Sequence, residues 1–314
     1  MRAILFALAV ICAPAQTMLK DGQLHVVLCG TGSPLPDPQR ASACTAIIAN
    51  GEFLLFDIGP GSWRKAGLTQ LPLANLSAVF LTHFHSDHIG DLGEAITMSW
   101  AAGRAQPLDV FGPPGADKVV AGFQAAYSLD AGYRTEHHSA QWMPPAGAKA
   151  KATAANSDQP VFDRSGVRVF AFPVNHHPIT AAFGYRIEYR GRKVVITGDT
   201  SKSKEVEKNA ARADLLIHDA LSKDMILAAA AMAEGMGQKR QGKMARDIVT
   251  YHATPVEAAE TAASAKVETL VLTHIVPPLR DEAHQKVFLR GVAEAFAGKI
   301  VLAADGMRFD FPPR

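Results

Sequence analysis

The sequence predicts an α/β protein with helices layered outside sheets. Short apolar runs of strand length alternate with Ala-rich segments of helical period along nearly the whole chain. Several of the runs are bounded by Gly or Pro, the residues that punctuate strands. The composition, 48% hydrophobic and 20% charged with five Tyr and three Trp, excludes intrinsic disorder, collagen-like repeats and a coiled coil. At 314 residues the chain is long enough for two average domains, and equally for one large sandwich. Its formal charge of +2, from 32 Lys+Arg against 30 Asp+Glu, is too small to hold a polyanion by a long-range field. Any nucleic-acid binding must come from a local patch.

Residues 1–15 read as a signal peptide: Arg2, then the apolar run Ala3–Ile11, then the small-x-small segment Ala13-Pro14-Ala15. The run is too short to span a bilayer, and a buried N-terminal strand or helix is the alternative. Nothing later in the chain approaches a membrane span, so the expected location is periplasmic or secreted. Cys12 falls in this leader. Cys29 and Cys44 belong to no Cys-x-x-Cys or Cys/His pattern and are expected as two buried small hydrophobes, a single bridge between them being the alternative.

Strands are expected at Leu24–Leu28, Phe53–Phe56, Ala78–Leu81, Val167–Phe172, Tyr185–Glu188, Lys193–Ile196, Asp214–Ile217, Thr269–Leu272 and Ile300–Ala303. Helices are expected at Gly90–Ala102, Ala116–Tyr127, Lys202–Ala213, Lys223–Ala233 and Pro255–Ala265, the last opened by Thr254 as N-cap with Pro255 in the first turn. Met143–Asp163, rich in Ala, Lys, Pro and Gly, reads as an exposed loop. Leu227–Gly242 reads as a projecting helix near the site, and Gly103–Pro107 as another wall of the pocket.

The chemistry concentrates in Thr82-His83-Phe84-His85-Ser86-Asp87-His88, directly after a predicted strand. Imidazole and carboxylate suit a borderline divalent ion such as zinc, and ligands on a tight turn lose little entropy on binding. Alternation lets His83 and His85 hold one metal while Asp87 and His88 hold a second. Further candidates stand at strand ends: His176, with His177 competing for its place, Asp199 and His274. Asp199 also fits a turn or a helix N-cap. His218 and Asp219 end another strand, and His252 precedes a helix. Asp57 is a candidate to orient a metal-ligating imidazole. No Gly-x-Ser-x-Gly elbow supports a serine nucleophile, and neither Gly30-Thr31-Gly32 nor Gly112-Pro113-Pro114-Gly115 completes a nucleotide loop.

With Gly30–Pro34, Leu55–Gly61, Pro173–Pro178, Phe183–Tyr185, Gly198-Asp199-Thr200 and Leu272-Thr273-His274, these residues resemble the metallo-β-lactamase superfamily, in its ribonuclease Z and arylsulfatase-like branch. The resemblance implies an αββα four-layer sandwich, two mixed sheets flanked by helices, formed as a single domain over residues 16–314. It implies two zinc ions, with Mn or Fe accepted by the same ligands. His83, His85 and His176 would hold the first, Asp87, His88 and His274 the second, and Asp199 would bridge them. In tRNA-processing members a Glu and a His relay a proton to the leaving group; the matching positions here are Asp219, one methylene shorter, and His252. Asp87, Asp219 and His252 are the expected catalytic residues. Those members also extrude a glycine-rich basic arm, and Met143–Asp163 is too modest to be one. The expected function is therefore an exported hydrolase of phosphodiester or sulfate-ester substrates that uses a metal-bridging hydroxide. Its substrate is a small-molecule ester, nucleic acid being disfavoured, and a homodimer is the default assembly. The alternative is a ribonuclease Z-like endonuclease acting on tRNA 3′ ends; lactone or β-lactam hydrolysis and a non-catalytic metal-binding scaffold rank below it.

Overall fold

The computed structural model describes residues 13–156 and 159–314. Most of the expected leader, with Cys12, therefore lies outside the described residues. The first sheet contains β1 (Leu24–Gly30), β2 (Cys44–Ala49), β3 (Glu52–Phe56), β4 (Leu76–Phe80), β5 (Leu108–Gly112) and β6 (Ala150–Ala154). The second contains β7 (Phe162–Arg164), β8 (Val167–Pro173), β9 (Phe183–Tyr189), β10 (Arg192–Ile196), β11 (Leu215–Leu221), β12 (Thr269–Val276) and β13 (Lys299–Leu302). The chain then returns to the first sheet as β14 (Arg308–Phe311), beside β1. Among the described residues each sheet has seven strands, ordered β14-β1-β2-β3-β4-β5-β6 and β13-β12-β11-β10-β9-β8-β7.

The helices of the first half are α1 (Ala13–Met18), α2 (Ser62–Leu68), α3 (Ser86–Ile89), α4 (Leu92–Ala101), α5 (Ala116–Ala126) and α6 (Ser128–His138). Those of the second half are α7 (Lys204–Asn209), α8 (Lys223–Gly235), α9 (Lys239–Ile248), α10 (Pro255–Ala265), α11 (Glu282–Phe288) and α12 (Val292–Ala295). Between the sheets lie Leu24, Leu28, Leu54, Phe56, Phe80, Tyr185, Ile187, Val194 and Ile217. Trp63, Leu92, Ile96 and Val120 pack α2, α4 and α5 on the outside of the first sheet. Val206, Ala258, Ala262 and Val292 pack α7, α10 and α12 on the outside of the second. That is the four-layer α/β sandwich expected. Strands covered on both faces need largely apolar residues, and β1, β2 and β11 are buried at every position.

Several differences from the sequence reading have local causes. Met143–Asp163 is not a loop: it carries the edge strand β6, whose Ala-Lys-Ala-Thr-Ala alternation is too weakly apolar to register, and the start of β7. β2, β5 and β14 were not expected; small residues and charges dilute their signal. Leu227–Gly242 is not one helix, because Gly237 at φ 76° breaks it into α8 and α9. α10 opens as read, with a complete capping box between Thr254 and Glu257.

The loop Gly103–Pro107 does not wall the site. β5 runs parallel to β4, so the loop entering β5 lies at the sheet edge opposite to the one where β4 delivers His83. Its task is structural. Arg104 is buried and donates from Nε to Ser99 Oγ (3.0 Å) and from Nη2 to the carbonyls of Ile96 (2.7 Å) and Gly147 (2.9 Å). Burial pushes its guanidinium down to about 10. Arg104→Ala leaves those acceptors unpaired in the interior and is expected to cost about 3 kcal/mol, read as a lower midpoint in urea unfolding with the slope unchanged.

Candidate metal centre

The parallel strands β4, β10, β11 and β12 end at one edge of the sandwich, where polar residues escape the two-sided burial of the strands themselves. Past β4 the backbone makes the turn of α3, with His85 at its N-cap and Asp87 and His88 on the first turn. Asp199 follows Gly198, which is at φ 62°; a Cβ there would lie 2.7 Å from Cβ of Thr82, so only glycine lets the two sheets' edges meet. His274 is the extra residue of a bulge in β12: Thr273 pairs with Asp219 and Ile275 with Ala220. Its φ of 48° is left-handed, and the bulge turns the imidazole to the common edge.

Two ligand groups result. His83 Nε2 lies 2.8 Å from His85 Nδ1, which lies 3.3 Å from His176 Nε2. His274 Nε2 lies 3.1 Å and His88 Nε2 3.5 Å from Asp87 Oδ2. Between the groups sits Asp199 Oδ2, 3.3 Å from His88 Nε2, 3.4 Å from His274 Nε2, and 3.9 Å from Nε2 of both His83 and His176. All seven side chains converge, and all are buried but His85, the most exposed of the set. His176 is buried within the cluster while His177 is exposed outside it.

His88 Nε2 and Asp199 Oδ1 are buried without a hydrogen-bond partner. Orphaned polar atoms at the focus of a nitrogen and oxygen donor set are what a divalent cation satisfies, and the donor types suit zinc, manganese or iron. The electrostatics agree. Burial, then the neighbouring His88, pushes His83 well below the ordinary imidazole range. Burial opposes charge on His88 too, yet Asp199 and Asp57 hold it well above that range. Burial opposes ionisation of Asp199, but His274 and His88 hold its carboxyl well below the carboxylate range. A neutral His83, a protonated His88 and an ionised Asp199 thus share one focus, and a cation bound there would displace the His88 proton.

The supports are built as carefully. Asp57, at φ 57° just after β3, accepts from Thr82 N (2.8 Å), Thr82 Oγ1 (2.8 Å) and His88 Nδ1 (2.7 Å). His176 Nδ1 donates to the Tyr251 carbonyl at 3.1 Å. Each bond commits one ring nitrogen and leaves the other for the centre. Asp219 Oδ2 accepts from His252 Nδ1 at 2.9 Å, so the shorter Asp still reaches; His218 Nδ1 lies 3.1 Å from its other oxygen. His252 stacks on His274 with ring centroids 5.4 Å apart and shares a ligand-sized cluster with Asp199 and His274. His137 and His138 stand apart on α6.

The sequence gives no role to Thr82, Tyr251 or Tyr185, which support the centre. Tyr185 crosses from the second sheet to donate its hydroxyl to the Leu81 carbonyl at 2.7 Å, beneath the motif. Thr82 adjoins His83 and Tyr251 adjoins His252, so both stand beside residues that the sequence singles out. Asp57→Ala frees the His88 ring to rotate and is expected to weaken metal binding about 10- to 100-fold, measured by competition with a chelator.

Comparison with known proteins places this geometry in a lineage. The family model described as "Beta-lactamase superfamily domain" matches residues 53–275. Ribonuclease Z of Mycolicibacterium paratuberculosis (strain ATCC BAA-968 / K-10) is 40% identical over 286 residues, covering 90% of this chain and 96% of that protein. Ribonuclease Z of Mycobacterium marinum (strain ATCC BAA-535 / M) is 38% identical over 295 residues, covering 93% and 100%. Among solved structures, the short form of human tRNase Z superposes with a TM-score of 0.64 at 25% identity, covering 92% of this chain and 99% of that one. These relatives overturn the expectation of an exported phosphodiesterase or sulfatase with a small-molecule ester as its partner, and they favour a nucleic-acid substrate. That expectation failed for a physical reason: a phosphodiester and a sulfate ester offer a metal-bound site the same tetrahedral oxyanion, so the ligand set does not discriminate between them. The chain is a metal-dependent hydrolase that belongs to the metallo-β-lactamase superfamily, on its ribonuclease Z branch.

Proposed function

We propose that this protein is an endoribonuclease that hydrolyses a phosphodiester bond at the 3′ side of tRNA precursors. The match to proteins named ribonuclease Z over nine-tenths of the chain carries the reading. The Asp219–His252 pair standing beside the ligand cluster supports it.

His83, His85 and His176 would hold one zinc ion, Asp87, His88 and His274 a second, with Asp199 shared between them. Bound there, the ions would supply Lewis-acid polarisation of a phosphoryl oxygen and lower the pKa of a water to ~7. The chain's own residues do the rest. Asp219 fixes the His252 tautomer through Nδ1, leaving Nε2 to give a proton to the departing ribose oxygen. Burial opposes its ionisation, but His218 and His252 hold the Asp219 carboxyl below the ordinary range, so it remains an acceptor through the cycle. Asp57 and Tyr251 keep two ring orientations fixed while substrate enters. α9, between Asp219 and His252 in sequence, exposes Lys239 and Arg240 and gives the local positive patch that the small net charge requires for RNA.

Incubation with a tRNA precursor bearing a 3′ trailer and zinc tests the reading; discrete cleavage at the acceptor end is expected, and an intact precursor overturns it. Asp199→Ala is expected to lose bound metal and nearly all cleavage, by elemental analysis beside a gel assay. Asp219→Asn should keep its metal while kcat falls about 10²- to 10⁴-fold. Lys239→Glu with Arg240→Glu should raise KM for the precursor about tenfold and flatten its salt dependence, leaving hydrolysis of bis-p-nitrophenyl phosphate unchanged.

A further inference from the structure

Beneath the metal centre the two buried thiols face each other. Cys29 lies near the end of β1 and Cys44 opens β2, the neighbouring antiparallel strand. Their sulfurs are 2.7 Å apart, both are free thiols, and a register shift between Leu28 and Gly30 leaves Cys29 as the extra residue turned toward its partner. A bond between them asks for an approach of about 0.7 Å, since a disulfide spans ~2.05 Å.

Both strands lead into the ligands of one metal. Two residues beyond Cys29, the Thr31 carbonyl accepts from Ile275 N at 3.1 Å, next to His274. One residue before Cys44, the Ala43 carbonyl accepts from Gly59 N at 3.0 Å, and a Cβ on Gly59 would lie 1.9 Å from the Asp87 carbonyl oxygen. Ile58 N in turn donates to the His88 carbonyl at 2.8 Å. The thiols therefore underlie the framework of Asp87, His88 and His274 most directly.

We propose that Cys29 and Cys44 form an oxidisable pair, closed to a disulfide by hydrogen peroxide and reopened by a dithiol, and that closure changes metal affinity at the Asp87–His88–His274 group. In closure the two thiols give up two electrons and two protons; the S–S bond forms, the peroxide O–O bond breaks, and two waters leave. Reopening transfers both electrons from the dithiol, which ends as its own disulfide. Burial admits a small oxidant and excludes a protein one. Burial, and then the neighbouring Cys29, push the Cys44 thiol up, which makes closure slow at neutral pH. The metal half of this inference rests on the ligand reading above; the cross-link does not.

The test uses the full chain loaded with zinc, divided into a portion kept reduced and a portion treated with peroxide and quenched with catalase. Each is unfolded, alkylated and digested for mass spectrometry, while parallel samples are titrated with a zinc chelator. The expected result is a peptide pair joined through Cys29 and Cys44 and lighter by two hydrogens. One of the two zinc equivalents should shift in affinity by about tenfold, the other should not, and dithiothreitol should restore both. The double variant Cys29→Ser with Cys44→Ser should hold zinc identically before and after peroxide. Alkylation of both cysteines after peroxide, or their separate conversion to sulfonic acids, overturns the pairing. A linked pair with both zinc affinities unchanged overturns the coupling to the metal. Reduced protein that takes up no zinc overturns the ligand reading and leaves the cross-link standing on its own spectrum.

Discussion

The carboxylate of Asp57 touches none of the reacting groups, and the arrangement of the centre depends on it. Its two oxygens are committed to the backbone and hydroxyl of Thr82 and to His88 Nδ1. The first commitment anchors the end of β4 where His83 begins; the second fixes which nitrogen of His88 faces inward. A residue at φ 57° carries roughly 1–3 kcal/mol of backbone strain. Three short bonds to a buried carboxylate, with charge-assisted bonds individually worth about 1.5–3 kcal/mol, more than offset it. The strain and the bonds are two sides of one device, because an extended Asp57 would carry its side chain away from both partners.

The second sheet uses the same device with a different residue. His274 is bent out of the β12 ladder by a bulge and a left-handed φ, and what holds it is its place between Asp87 and Asp199. Tyr185 binds the two halves together from below, its hydroxyl on the Leu81 carbonyl and its ring edge-on to Phe56 and Phe80. The aromatic floor fixes the spacing between sheets, and that spacing decides whether donors from opposite sheets meet.

Much of this was legible in the sequence where the signal was local. Continuous apolar runs marked β1, β3, β4, β10 and β12, and the histidine motif announced its own chemistry through spacing on a single turn. Asp199 and His274 could be placed at strand ends, but what brings them together is sheet order, to which nearest-neighbour patterns are blind. β6 escaped because an edge strand of alternating Ala, Lys and Thr buries little. His176 and His177 are indistinguishable in one dimension, and only the packing of the turn against Tyr251 separates them. The substrate was misread because the donors at the centre present the same face to a phosphodiester and to a sulfate ester.

The candidate ligands are divided between the sheets, with His83, His85, Asp87 and His88 from the first and His176, Asp199 and His274 from the second. A cation held by such a set is a clasp across a seam. Its binding free energy adds directly to the free energy with which the two halves of the sandwich adhere. Withdrawing it removes that contribution and leaves His88 Nε2 and Asp199 Oδ1 buried without a partner at that seam. Depletion of the ion then loosens the edge of the fold as well as silencing its chemistry, and scarcity of metal in the surroundings is felt by the protein as mechanical slack.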